Sequence, residues 1–394
     1  MAVLSQKSLN VRAQGKPDVI PDKFIVVLKD DVGNPQAVAN EMARTYGLSV
    51  KHVYATALKG FSVTIPQARF DKVKGDGRVQ FVSEDRLVEA FAQTTPTGVS
   101  RINAPVNPNK GTGIGVAVID TGIDLAHPDL QADIVANKSC IRGKKTGNDD
   151  NGHGSHVAGT IAAVNNDIRV VGVSPEAKLI AVKVLNSAGS GSWSTVICGI
   201  DWVTANAGTF KIKVANMSLG GSGSSDNNCG NTNNDALHKA ICKSTAAGIT
   251  YAVAAGNSND DASKFVPAAY DDTVITVSAL ADSDGQPGGL GGATSYGADD
   301  TFASFSNYGS VVDLGAPGVS IYSTWKKDSY NTISGTSMVS PHVVGSAALY
   351  IKSNPGLTWL QVRDGLVAAA EALNVGHSDP SRLHPEPVVK ADNL

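Results

Sequence analysis

Residues 115–124 read GVAVIDTGID. From Gly115 to Ile119 every residue is apolar, and a carboxylate then closes the run. A strand that is apolar at consecutive positions is covered on both faces, the mark of a parallel sheet held between helices. Working outward, comparable runs recur at 179–184, 214–217, 250–254 and 274–277, separated by helical stretches. Residues 92–394 therefore read as an α/β domain, a mostly parallel sheet with helices on both faces. In such sheets ligand chemistry collects at the carboxyl ends of the strands, which singles out Asp120, Ser218 and Asn257.

Upstream the pattern changes. Residues 23–29 read as a strand, 35–46 as a helix, 49–54 and 59–65 as strands, 67–74 as a short helix, and a last strand starts at 79. That order, βαββαβ, is the ferredoxin-like α+β arrangement. Charge separates the two regions as well: 13 basic and 10 acidic residues lie in 1–91, against 20 and 26 in 92–394, so +3 faces −6.

The 394 residues and 42% hydrophobic content exclude a disordered chain. A net charge of −3 without a basic run gives no footprint for nucleic acid. No apolar stretch approaches the ~20 residues of a membrane helix. The first 19 residues, MAVLSQKSLNVRAQGKPDV, lack the apolar core of a signal peptide. Either the protein is intracellular, or a secretion signal is absent from this sequence. Cys140, Cys198, Cys229 and Cys242 form no CxxC pair, which leaves disulfides or buried thiols.

Asp120 is too costly to bury alone, so a fixed hydrogen-bonding partner is expected, and a histidine suits it. His156 lies in NGHGSHVAGTIAAV (151–164), where Gly152 and Gly154 open a helix. Ser337 lies in SGTSMVSPHVVGSAALYI (334–351), where a turn passes into a helix that tolerates Pro341 early. Serine becomes a nucleophile when a base takes its proton, and the base needs a carboxylate to fix its tautomer. Asp120, His156 and Ser337 are the residues read into those roles.

The surrounding words resemble the subtilisin-like serine proteases: DTGID at Asp120, GHGSHVAGTIAA at His156, AAGN ending in Asn257, and GTSMVSPHV at Ser337, all in family order. The resemblance extends upstream, because residues 1–91 look like the family's propeptide, with EDRLVEAFAQTTPTGVSRINAP (84–105) as the processing region. Ser155 and Val339 stand where threonine and alanine are more usual.

The resemblance implies a secreted endopeptidase in its proform, probing peptide or protein substrates and acting as a monomer, with its own propeptide as folding template and intramolecular inhibitor. It implies Asn257 as the oxyanion donor. It implies Ser218, Leu219 and Gly220 as one edge that pairs with the peptide, Gly189, Ser190 and Gly191 as the other, and Trp193 as the rim of S4. Self-processing between Phe91 and Ala92 would present a large apolar residue to S1, whose walls are 218–220 and 254–256 with Phe265 near the floor. Calcium is the implied ion, held by the side chains of Gln93, Asp129 and Asn166 and the carbonyls of Val164, Ile168 and Val170. Arg169 stands there in place of a common glycine.

Other readings carry less. His153 and His156, three apart, do not make the HExxH pair of a zinc protease. Gly111, Gly113 and Gly115 precede a strand instead of following one, so they form a turn, not a dinucleotide loop. Asp282-Ser283-Asp284-Gly285 offers oxygen ligands for a second ion, but DxDG alone is short and a solvated turn is the favoured reading. Four cysteines allow three full pairings; the sequence neighbours Cys229 and Cys242 are the favoured bridge, with Cys198 a buried thiol. A catalytically silent binding protein on this fold and an intracellular processing protease are the alternatives.

Overall fold

The computed structural model describes residues 19–86 and 93–394. Contacts divide the chain into two compact units, Met1–Ala90 and Phe91–Leu394. In the first, β1 (Val19–Leu28), α1 (Pro35–Tyr46), β2 (Ser49–Tyr54), β3 (Gly60–Thr64), α2 (Phe70–Lys74) and β4 (Val79–Arg86) follow in that order. The four strands form one antiparallel sheet in the order β2-β3-β1-β4, the ferredoxin-like topology. Helix α1 starts where Asn34 accepts from the Ala37 N–H and Pro35 needs no donor, and it ends at Gly47 in the left-handed conformation. Its buried Ala39 and Met42 join Val26, Leu28, Phe61 and Val63 in the unit's own core.

The second unit opens with α3 (Thr97–Arg101), β5 (Gly115–Asp120), β6 (Ile134–Ser139), α4 (His153–Ala162), β7 (Lys178–Lys183), α5 (Trp193–Ala205) and β8 (Ile212–Met217). It continues through β9 (Gly221–Ser222), α6 (Ala236–Ala246), β10 (Thr250–Ala254), β11 (Phe265–Val266), β12 (Ile275–Ala281), β13 (Thr301–Phe302) and β14 (Leu314–Pro317). The hairpin β15 (Ile321–Trp325) and β16 (Ser329–Ile333) precedes α7 (Ser340–Ser353) and α8 (Trp359–Ala369). The main sheet runs β13-β12-β10-β8-β5-β7-β6, with β14 beside β12. Every pairing in it is parallel except β12 with β13.

Strand β5 shows why its sequence is apolar throughout. Val116 and Val118 enter the core beneath α4 and α7, whereas Ala117 and Ile119 enter the one beneath α5. Successive side chains on a strand point to opposite faces, so a strand covered twice needs an apolar residue at every position. Among the features that the sequence did not announce are edge strand β6 and the β15–β16 hairpin that packs on α4. Both are rich in Ser, Thr, Asn or Lys and carry no apolar run longer than three residues.

The cysteines form two bridges, Cys140–Cys198 and Cys229–Cys242. The second is the favoured pair. The first corrects the thiol reading of Cys198: its position on α5 is exposed, and Cys140 follows the end of β6 at a Cα distance of 6.1 Å.

Candidate active site

The chain leaves β5 at Asp120, whose side chain is wholly buried. Its carboxylate accepts the Thr121 N–H at 2.6 Å and the Nδ1 hydrogen of His153 at 2.8 and 3.0 Å. His153 is the first residue of α4 and half-buried. The loop after β5 touches that first turn through backbone: Gly154 donates to the Thr121 hydroxyl at 2.9 Å, and a Cβ on Gly154 would lie 2.1 Å from the Gly122 carbonyl oxygen. Only glycine permits that approach.

His156 is therefore not the partner of Asp120. It lies one turn deeper, fully buried, and its Nε2 donates to the carbonyls of Ile321 at 2.9 Å and Asn331 at 3.2 Å on the hairpin. Burial pushes its pKa down to about 3, which keeps the ring neutral. The physical reason for the correction is depth: residues Gly154–Ala162 are all buried, and position 153 alone meets the open end of β5. Burial also opposes a charge on His153, but the Asp120 carboxylate and its hydrogen bond outweigh it and raise this pKa above the ordinary histidine value.

Ser337 occupies the 3₁₀ turn Thr336–Met338 ahead of α7 and is half-buried. Its hydroxyl donates to the Ser218 carbonyl at 3.3 Å, and the Ser218 hydroxyl donates to the Ser337 carbonyl at 2.8 Å. Those bonds fasten the end of β8 to the start of α7. Val339, two residues on, is fully buried with a methyl over Gly318, where any Cβ would come within 2.6 Å of it. Ser155 keeps the hydroxyl that a threonine would supply: it donates to Asp149 at 2.7 Å and accepts from the Asp124 N–H at 2.9 Å.

Asn257 follows β10 and is exposed. Its Oδ1 accepts the Thr336 N–H at 2.8 Å and the Thr336 hydroxyl at 2.9 Å. Because both partners are donors, the amide orientation is fixed and Nδ2 keeps its hydrogens for another acceptor. The N–H groups at the start of a helical turn lack intrahelical partners, and Ser337 supplies one beside it.

His153, Ser337, Ser218, Leu219, Gly220, Gly189, Ser190, Gly191 and Trp193 line one cleft of about 730 Å³. A second hollow of about 310 Å³ shares Ser337, Ser218, Leu219 and Gly220 and adds Ala254–Asn257 and Phe265. Gly, Ala and Ser form most of its walls, and among the described residues no charged side chain lines it. Trp193 begins α5 at 38% exposure, its ring lying against Gly221. One side of the cleft is steadied by the β9–β11 pair, Gly221 opposite Val266 and Ser222 opposite Phe265.

One residue near the site went unread in the sequence. Lys183, the last residue of β7, is completely buried, and its ammonium donates to the carbonyls of Thr121 at 2.6 Å and Leu185 at 2.9 Å and to Asp150 at 2.6 Å. It ties the loop after Asp120 to the segments leading to His153 and to the cleft edge. Its position ending an apolar strand, directly beside Asp120 in register, was the available signal.

Away from the cleft, three carbonyl oxygens converge on the Gln93 side-chain amide, from Val164 at 2.8 Å, Val170 at 2.9 Å and Ile168 at 3.4 Å. Asn166 reaches Asp129 at 3.2 Å in the same loop. Oxygen acceptors gathered around one point suit a hard cation, with the Gln93 amide turned to present its oxygen. Arg169 takes φ +38°, the left-handed region where glycine is at ease, and its guanidinium stacks 5.8 Å over the Tyr330 ring. Phe91 and Ala92 lie outside the described residues.

The family model described as the subtilase family matches residues 111–383. Subtilisin J of Geobacillus stearothermophilus is 38% identical over 93% of this chain and 89% of its own length. An extracellular serine proteinase of a Thermus species is 38% identical over 93% and 90%, and subtilisin DY of Bacillus licheniformis 41% identical over 73% and 94%. The crystal structure of a cold adapted subtilisin-like serine proteinase matches with a TM-score of 0.61 at 36% identity, covering 75% of this chain and 97% of that one.

Proposed function

Because this chain belongs to the subtilase family and is a serine endopeptidase, we propose that Ser337 is its nucleophile, His153 its general base and Asp120 the carboxylate that orients the base. The observation that carries this reading is the Asp120–His153 pair at 2.8 Å on the cleft that Ser337 also lines. When a peptide enters, the Ser337 hydroxyl leaves the Ser218 carbonyl, gives its proton to Nε2 of His153 and attacks the scissile carbonyl. His153 then protonates the leaving amine. An acyl-enzyme remains for water to hydrolyse by the same steps in reverse order. The Nδ2 hydrogens of Asn257 and the Ser337 N–H hold the negative oxygen of the tetrahedral intermediate.

The substrate backbone pairs with 218–220 on one side and 189–191 on the other, so most of the affinity is main chain and many sequences are accepted. The uncharged hollow between Gly220 and Ala254 takes a large apolar P1 residue, and Trp193 covers P4. Gln93, Asp129, Asn166 and the carbonyls of Val164, Ile168 and Val170 hold a calcium ion, which when bound fastens the start of the mature chain to the loop after α4.

Residues 1–91 act as propeptide and inhibitor, and the chain cuts itself between Phe91 and Ala92 to leave a monomeric mature enzyme at 92–394. The charge split of +3 against −6 supports their association. Two disulfides support release into an oxidising compartment, as does the extracellular relative. Casein hydrolysis with and without a serine-directed inhibitor tests the whole reading. Inhibitable activity, with Ser337→Ala remaining at full length, is the expected result; chelator-sensitive activity that resists the inhibitor would overturn it.

A further inference from the structure

The sequence DSDG at 282–285 has the look of a solvated turn, but the structure buries its first residue. Asp282 is 2% exposed and Asp299 6%, while Asp284 reaches solvent. Each of these three carboxylates offers an oxygen within 4.8 Å of the other two. Oxygens bound to one calcium ion at about 2.3–2.6 Å lie no farther apart than about 5 Å, so the three fit on a single coordination sphere.

The charges of this cluster are unequally served. The neighbouring Asp300 bonds to Arg101 at 2.5 Å and accepts the N–H groups of Gly288 and Gly289. Arg101 is also held by Glu371 at 2.8 Å. Asp282, Asp284 and Asp299 make no ion pair with a lysine or arginine among the described residues. Asp299 spends its two oxygens on Ser283 and Gly291. Asp282 does not: Oδ1 accepts from Gly285 at 3.0 Å, but Oδ2, buried, has no hydrogen-bond partner among the described residues. A buried carboxylate oxygen without a donor is costly to keep charged unless a cation meets it, and a proton is the other relief. Burial, reinforced by Asp300 and Asp299, accordingly pushes the Asp282 pKa up to about 7.

We propose that Asp282, Asp284 and Asp299 form a second calcium site, separate from the Gln93–Asn166 loop, at the carboxyl end of β12. The remaining ligands come from water, since the exposed Asp284 leaves one side open. The site fastens the long 282–300 connection between β12 and β13.

Equilibrium dialysis with radioactive calcium measures the number of ions bound by the full-length chain carrying Ser337→Ala. Asp284→Asn, at an exposed position, is expected to keep the fold and weaken one calcium at least tenfold; Asp282→Asn is expected to remove the same ion. Asp129→Ala reports on the other site and leaves this one intact. Calcium stoichiometry and affinity unchanged by Asp284→Asn and Asp282→Asn, in chains folded by circular dichroism, would overturn the proposal. Loss on those two variants with none on Asp129→Ala would support it and overturn the Gln93 loop reading instead.

Discussion

Nδ1 of His153 and the carboxylate of Asp120 lie 2.8 Å apart, one at the first turn of a helix and the other at the last residue of a buried strand. His153→Ala should therefore reduce kcat about 10⁶-fold, the loss found for the equivalent change in subtilisin itself, a relative of this chain. Adding Ser337→Ala should cost little more, because the two residues act as a unit. His156→Phe should behave differently: activity per folded molecule within tenfold of the parent, and a lower Tm, since the Ile321 and Asn331 carbonyls lose their donor at about 1–3 kcal/mol. Single-turnover rates beside melting curves separate the two histidines, and a dead but stable His156 variant would reverse their roles.

The pH profile follows from the same pair. His153 must be neutral to accept a proton, and Asp120 raises its pKa above 6.5. Activity should thus rise with pH through an acid limb that lies above 6.5. Asp120→Asn removes the charge that favours the imidazolium, so the limb should move to lower pH while kcat falls by about 10⁴. His156, neutral down to about pH 3, should leave that limb untouched when replaced. Profiles of kcat/KM from pH 4 to 10 read all three.

Asn257→Ala should lower kcat by about 10²–10³, or 3–4 kcal/mol, with little change in KM, a size taken from the same residue's role in subtilisin. Thr336→Val tests how the amide is aimed. It removes the hydroxyl donor at 2.9 Å but keeps the backbone one at 2.8 Å, so the loss should be smaller, nearer tenfold. Equal losses for the two variants would mean that Thr336 does more than hold Asn257.

How much of this was legible in the chain depends on what each residue had to announce. Helix 35–46 and strand 250–254 are legible to the residue, because Asn34-Pro35 and the largely apolar TYAVA carry their own start and period. The hairpin at 321–333 was not, since its strands are built from Ser, Thr, Asn and Tyr and gain their place only by packing on α4. The two histidines of GHGSH share a helix face, and nothing local says which is shallow and which is deep. The contact of Gly154 with Gly122 decides it, and that contact is tertiary. Likewise, DSDG looks the same buried or solvated until Asp299 arrives beside it from fifteen residues downstream.

Calcium should raise the Tm of the mature enzyme, because an ion bound only by the folded state stabilises it by about 2.7 kcal/mol at a hundredfold excess over Kd. Asp129→Ala should reduce that rise without abolishing it. Calorimetry in calcium and in excess chelator makes the comparison; superimposable melts would leave the Gln93 loop without an ion.

Trp193→Ala should flatten discrimination between apolar and polar P4 residues while leaving the preference for large apolar P1 almost unchanged, because the P1 hollow lies beyond Gly220 and has its own walls. A peptide library varied at P1 and P4 provides the readout. Equal cleavage after Phe and Asp would sink the assignment of the hollow.

Lys183 bears on how sequences of this kind can drift. A single ammonium answers two buried carbonyls and a carboxylate, so no one-step replacement satisfies all three: a neutral residue takes the donor from the two buried carbonyls, and arginine's planar fork is too wide for a fully enclosed position. Substitution at 183 is open only to lineages that have already altered Asp150 or rerouted the loop after Asp120. Among descendants of this chain, position 183 should therefore be one of the slowest to change, although it never touches a substrate.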